Sequence, residues 1–285
     1  MEQKICVITG GSSGIGLCTA LEMKAKGYEV FDISRRREGA AGINHISADV
    51  TDEKRINEAV SYIIDKAGRI DVLINNAGFG ISGAVEFTET ADARKQFDVN
   101  FFGMVNMNRA VIPFMRRAGG GRIVNISSVA APIAIPFQAY YSAAKAAINS
   151  YTMALINEVR PYGISVCAVQ PGDICTGFTG AREKSYAGDE IYSGRISRSV
   201  AVMEHGRVVE QGEVFNVFAD PKQEITKNFI HTTSNLQKIE ELVAENSPVV
   251  RLQPGEVIVR LSYLQRNVSE PLISAVSQKF GISLN

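Results

Sequence analysis

The sequence predicts an α/β fold, a doubly wound parallel sheet, over residues 1–199. Three observations carry that prediction. Short apolar runs alternate with helical patterns, which implies a parallel sheet with right-handed crossovers. A glycine-rich turn, Gly10–Gly16, joins the first strand to the first helix. Two further polar motifs, Asn75–Gly78 and Ser127–Ser128, also follow strands, so all three gather at the C-terminal edge, where such sheets hold nucleotides.

Residues 4–8 read as a short buried strand running into the turn. A helix follows, with Leu17, Ala20, Leu21 and Ala25 on one apolar stripe. The second strand is Glu29–Ile33, and Asp49-Val50 follows the third. A helix is expected at Glu53–Ala67, a fourth strand at Val72–Ile74 and a long helix at about Ala91–Arg117. Arg122–Ile126 and Ser165–Val169 read as the fifth and sixth strands, with a helix at Tyr141–Val159 between them.

A strand, a glycine turn and a helix start aim backbone N–H groups and the positive helix end at a pyrophosphate. Gly10 permits the tight turn, Gly14 the close approach of a ligand, and Gly16 the packing of helix on strand. At the tip of the second strand an acidic residue would bind a ribose 2′-hydroxyl and favour NAD. Asp32 lies two residues short of that tip, on the face of Ser34. Ser34, Arg35 and Arg36 occupy the tip itself, and arginine suits a 2′-phosphate. NADP(H) is therefore the expected cofactor, with NAD(H) left open. Asp49 and Val50 are placed to bracket the adenine.

Tyr141 and Lys145 are one helical turn apart and share a helix face. A lysine cation beside a phenol favours the phenolate, so the tyrosine can exchange a proton with a substrate oxygen near neutral pH. Ser128, thirteen residues upstream, can hold the same oxygen. That equipment suits hydride transfer between a nicotinamide and a carbonyl or alcohol carbon.

Together these residues resemble the short-chain dehydrogenase/reductase family from Met1 to about Val200, with its Rossmann sheet. The family's TGxxxGxG is Thr9 to Gly16, and its Asn-Asn-Ala-Gly is Asn75-Asn76-Ala77-Gly78. Asn100 matches the asparagine of the active-site tetrad, Ser128 the serine, and Tyr141 and Lys145 the catalytic pair. Pro171-Gly172, Ile174 and Thr176 match the segment that caps the nicotinamide. The resemblance assigns cofactor binding to Thr9, Gly10, Ser12, Ser13, Gly14, Ile15 and Gly16 of the turn, and to Ser34, Arg35, Arg36, Asp49 and Val50. It adds Asn76, Ala77 and Gly78, then Tyr141 and Lys145, and finally Pro171, Gly172, Ile174 and Thr176. It also implies that Ser128 orients the carbonyl, Tyr141 is the general acid, and Lys145 lowers the tyrosine pKa and holds the nicotinamide ribose. Asn100 would fix a water of the proton relay. Gly80–Phe87 and the segment after Thr176 would shape the pocket, for a steroid- or lipid-like substrate. The Tyr141 helix is where the family forms its dimer.

Beyond about residue 199 the family's last helix and strand are not recognisable. The run Gly206-Arg207-Val208-Val209-Glu210-Gln211-Gly212, followed by Phe215, Phe218 and Pro221, resembles the end of an ABC-transporter ATP-binding subunit, nearest to that of a methionine importer. Residues 200–247 would then be its closing strand, turn and linker helices. Residues 248–285 would be a partial α+β, ferredoxin-like sensing domain, with a strand at Glu256–Leu261 and a helix at Pro271–Phe280. No G-x-x-x-x-G-K-[ST] occurs in the chain, so the tail carries no ATPase of its own. The lost last strand leaves Ser165–Val169 with an unpaired edge, which Val200–Met203 or Val257–Leu261 could cover. The alternative to an enzyme is a non-catalytic chimera or an accessory fragment of a methionine importer.

At 285 residues and 45% hydrophobic content, one large domain plus a small one is expected. A net charge of zero and pI near 6.8 argue against a nucleic-acid partner. The N-terminus enters a strand at once and no run reaches membrane-span length, which reads as a soluble cytoplasmic protein. Four cysteines show no CxxC spacing, and Cys6 and Cys167 fall in strands expected to be buried. Three scattered histidines offer no metal site.

Overall fold

The computed structural model describes residues 3–172, 183–184, 187–188, 191–192, 199–204, 207–213 and 221–227. The chain divides into two compact units, one of residues 1–171 and 176–198, the other of residues 172–175 and 199–285.

The first unit is built on six parallel strands: β1 (Ile5–Thr9), β2 (Glu29–Ser34), β3 (Asn44–Ser47), β4 (Val72–Asn75), β6 (Gly121–Ile126) and β7 (Ile164–Val169). Their order is β3-β2-β1-β4-β6-β7. Strand order reverses between β1 and β4, and that switch point opens the crevice in which doubly wound sheets bind ligands. Helices α1 (Gly14–Ala25), α2 (Glu53–Ala67), α3 (Thr90–Phe97), α4 (Gly103–Arg117) and α5 (Ala139–Val159) join the strands.

Both sheet faces are covered, so β1 is apolar on both sides: Ile5, Val7 and Cys6, Ile8 belong to two separate core clusters. The Cys6 thiol is pushed up to about 12 by that burial, so it serves as a small apolar group. Helix α2 has the bounds its pattern predicts, because Asp52 caps its first turn through Arg55 N–H and Gly68 ends it in a left-handed conformation.

Four expectations are corrected. The buried face of α1 is Gly16 and Ala20, with Met23 packed beside them; Leu21 is 46% exposed and Ala25 is exposed. The small Gly16 sets the contact, so the face follows it rather than the leucines. The long helix at 91–117 is broken by a π-helical turn, Asp98–Phe102, which buries Asn100 to 1% exposure. Cys167 is half-buried, because β7 ends the six-stranded sheet among the described residues. Finally, Ser199–Glu204 (β9) pairs antiparallel with Arg207–Glu213 (β10) as a separate two-stranded sheet, so Val200–Met203 is no seventh strand.

That hairpin, Gly172 and residues 221–227 are the described parts of the second unit. His205 and Gly206, most of the expected linker helices to 247, the strand at 256–261 and the helix at 271–280 lie outside the described residues. Among the described residues no helix is long and apolar enough to cross a membrane.

Candidate active site

The glycine turn leaves β1 with Gly10 at φ +66° and Gly14 at φ +54°, a left-handed geometry that favours glycine. Helix α1 begins without a side-chain cap and without an acidic residue in its first turn. Its first N–H groups are thus offered to an external anion, and the turn fits a pyrophosphate. Ser12 is half-buried and Ser13 exposed at its tip.

Behind the turn, Thr9 is 2% exposed. Its hydroxyl accepts from Asn76 N at 3.0 Å and Ala77 N at 2.9 Å. Asn76 Nδ2 donates back to Thr9 O at 2.9 Å and Gly10 O at 3.2 Å. Thr9 and Asn76, expected to touch the cofactor, thus hold the two loops together with their polar atoms.

Two residues before the end of β2, Asp32 is wholly buried. It accepts from Gly11 N at 2.5 Å and from the Ser34 hydroxyl at 3.0 Å. The Ser34 hydroxyl therefore faces inward, and exposed Arg35, Arg36 and Arg37 are the groups the tip presents to solvent. Val50 is packed in the core, where a Cβ on Gly103 would meet it at 2.5 Å, and half-buried Asp49 is the more accessible of that pair.

Helix α5 starts after Gln138 and carries Tyr141 and Lys145, 8% and 4% exposed, on its buried face. Lys145 Nζ lies 5.7 Å from the centre of the Tyr141 ring and donates to Ile126 O at 2.7 Å. Ser127 donates to Lys145 O at 3.0 Å, tying α5 to the end of β6. Ser128, 8% exposed, accepts from Ala130 N at 3.1 Å, which leaves its O–H to donate. A Cβ on Gly78 would sit 3.1 Å from Asn100 Oδ1 and 3.8 Å from Lys145 Nζ. Gly78 therefore marks the point where the asparagine and the lysine converge.

The Asn100 amide is committed at both ends to one residue. It accepts from Phe79 N and donates to Phe79 O, each at 2.9 Å. The π-turn makes this reach possible; such turns favour functional sites. Gln96, which the sequence reading missed, is fully buried and bonds Ile81 N and Phe79 O. Asn100 and Gln96 together fix the loop after β4.

That loop forms β5 (Ile81–Ser82), paired in parallel with β8 (Glu183–Lys184), and Lys95 bridges to Glu183 at 2.9 Å. Tyr192 meets the rings of Phe87 and Phe137 edge-on and donates to Glu86 at 2.9 Å. Residues 80–87 are thus joined to Glu183, Lys184 and Tyr192 of the same unit. Pro171 O accepts from Val129 N at 3.1 Å and Gly172 ends the run, but Ile174 and Thr176 lie outside the described residues. Among the described residues no acidic, cysteine or histidine cluster could hold a metal ion.

Burial lowers the Lys145 pKa from 10.5 to about 8. It remains mainly cationic at pH 7 and loses its charge above about pH 8. The unfolded chain keeps this proton up to about 10.5, so between those values stability contributed by this group rises with pH. Below pH 8 the buried charge costs on the order of 3 kcal/mol. The catalytic consequence is opposite in direction. The cation beside Tyr141 is present below pH 8 and lost above it. For any turnover that depends on this cation, kcat/KM is expected to fall along a one-proton limb above about pH 8, and a profile flat to pH 9 would contradict such a dependence on Lys145.

A family model described as short chain dehydrogenase matches residues 4–187. The 3-ketodihydrosphingosine reductase of Bacteroides thetaiotaomicron is 44% identical over 207 residues, covering 72% of this chain and 77% of that protein. The solved structure of ElxO with NADP bound is similar at a TM-score of 0.59 and 33% identity, over 69% of this chain and 81% of that one. NAD+-bound xylitol dehydrogenase is similar at a TM-score of 0.58 and 32% identity, over 61% and 72%.

Proposed function

This chain belongs to the short-chain dehydrogenase family, and from that premise we propose that it is an NADP(H)-dependent reductase of a ketone on a lipid-like substrate. The observation that carries the reading is buried Tyr141 with Lys145 5.7 Å from its ring, beside Ser128 and Gly78 at the sheet's C-terminal edge.

Bound NADPH supplies the hydride that reduces the carbonyl carbon. The Tyr141 hydroxyl donates its proton to the carbonyl oxygen as that oxygen gains charge, leaving a phenolate that Lys145 stabilises. Ser128 donates a hydrogen bond to the same oxygen and holds it in place. The products are a secondary alcohol and NADP+, and Tyr141 regains its proton by way of Lys145. Asn100, with its side chain spent on Phe79, keeps the neighbouring loop in position.

NADP(H) is favoured because the tip of β2 presents arginines and no acid, with Asp32 wholly buried. NADP-bound and NAD+-bound relatives share the fold, so the discrimination rests on these residues. The expected result for Arg35→Ala is an NADPH Kd raised about tenfold or more, the range of one charge-assisted hydrogen bond, with the NADH Kd unchanged. Calorimetric titration measures both, and equal effects on the two nucleotides would contradict the assignment.

The substrate class follows the relative that acts on 3-ketodihydrosphingosine. The Phe87, Phe137 and Tyr192 ring cluster, with exposed Val85 and Ile191 close to it in the chain, suits a long apolar chain. The test is NADPH oxidation by the purified full-length protein with 3-ketodihydrosphingosine, compared with a short methyl ketone. Turnover with neither would overturn the reading. Exposed Met153 on α5 supports a homodimer through that helix. The tail beyond residue 199 is read, from its sequence likeness, as a transporter-derived segment. A full set of catalytic positions ahead of it favours the enzyme over the non-catalytic alternative.

A further inference from the structure

We propose that His45 is the positioning residue of the 2′-phosphate site: its imidazole clips the carbonyl of Arg36 to Asp32 and thereby holds the arginine loop against the glycine turn. The proposal rests on the NADP(H) reading above. Asp32 and His45 are direct partners in the β2–β3 register, and His45 Nδ1 lies 2.9 Å from Asp32 Oδ2. The other ring nitrogen, Nε2, lies 2.9 Å from Arg36 O. Both partners are acceptors, and the two ring nitrogens face one each, so the imidazole spans the gap between Asp32 and the Arg36 carbonyl.

The second end of this clip is the glycine turn. Asp32 takes the Gly11 N–H on its other oxygen at 2.5 Å. The chain of contacts therefore runs from Gly11 through Asp32 and His45 to Arg36. A buried polar group is costly unless hydrogen-bonded, and the His45 ring lies within hydrogen-bond distance of the wholly buried Asp32 side chain. Gly39 approaches so closely that a Cβ there would overlap the His45 side chain, so the loop is packed on the ring's stem as well as tethered at Arg36.

The exposed side chains of Arg35, Arg36 and Arg37 make no ion pair with the described residues. The tether at the Arg36 carbonyl lowers the ordering entropy that binding the phosphate would otherwise have to overcome. NADH and 5′-AMP lack that phosphate, so the tether is irrelevant to them.

Calorimetric titration of wild type, His45→Phe and His45→Gln with NADPH, NADH, 2′,5′-ADP and 5′-AMP tests this. The expected result for His45→Phe is NADPH and 2′,5′-ADP binding weakened about tenfold, a loss the size of one hydrogen bond to a charged group, with NADH and 5′-AMP within twofold. His45→Gln, whose amide can donate twice, should recover part of the loss. Should the phenylalanine variant not fold, the glutamine variant must still weaken the 2′-phosphate ligands selectively. Equal weakening of all four ligands would overturn the proposal in favour of a merely structural histidine. A wild type that prefers NADPH, with the preference intact in both variants, would overturn this inference alone. A wild type with no preference for NADPH would overturn the NADP(H) reading and the proposal with it.

Discussion

Tyr141→Phe is expected to lower kcat for ketone reduction by about 10²–10⁴-fold, the usual worth of a positioned general acid, while NADPH binds within twofold of wild type. The substitution removes one oxygen and keeps the ring, which is buried on α5 with Lys145 Nζ 5.7 Å from its centre. The lysine keeps its own bond to Ile126 O, and the glycine turn is untouched. The loss should fall on kcat and kcat/KM alike, as it does when an interaction made in the transition state is removed. Steady-state kinetics beside a calorimetric titration separate the two quantities. More than a tenth of wild-type turnover in the variant would mean another group protonates the oxygen.

Gly16→Val has the second large effect, and it strikes binding rather than chemistry. A Cβ at this position would overlap the Gly10 carbonyl oxygen and lie 2.5 Å from Asn76 Nδ2. The first obstacle is backbone, so relief requires the turn itself to move. That movement displaces Gly10 from the bonds that Asn76 makes to the turn and misaligns the N–H groups at the start of α1. NADPH and NADH affinity should both fall by about 100-fold or more, given several phosphate hydrogen bonds of 1–3 kcal/mol each. Overpacking should also cost about 1–3 kcal/mol of stability, visible as a lower Tm. Wild-type affinity for both nucleotides would show that the turn does not cradle them.

These two sites were legible in the sequence for a common reason. The glycine turn and the Tyr141–Lys145 pair are local in the chain, and local spacing maps directly onto a turn or a helix face. Helix α2 was legible to the residue because Asp52 and Gly68 mark both its ends. The parallel sheet followed from the alternation of apolar runs with helices.

What escaped the sequence is built from contacts between segments. The 91–117 pattern is helical throughout, and nothing local announces the π-turn that aims Asn100 at Phe79. Nothing local in the sequence singles out Gln96, whose burial depends on its bonds to Ile81 N and Phe79 O of the loop after β4. Asp32 reads from the sequence only as a strand residue on the face of Ser34; its engagement with Gly11 and His45 depends on strand register, which sequence alone does not display. Of the α1 stripe Ala20 is buried as expected, but close packing selected Gly16 beside it over the larger Leu17 and Leu21.

The central claim, that this chain moves a hydride from NADPH to a ketone with Tyr141 as the acid, is tested most directly by isotope transfer. The full-length protein is incubated with 3-ketodihydrosphingosine and NADPH deuterated at the transferring position, and the product is read by mass spectrometry. The account predicts one deuterium on the new carbinol carbon with wild type, and product at least about 100-fold slower with Tyr141→Phe. Unlabelled ketone recovered from a wild-type protein that binds both NADPH and the ketone would contradict it.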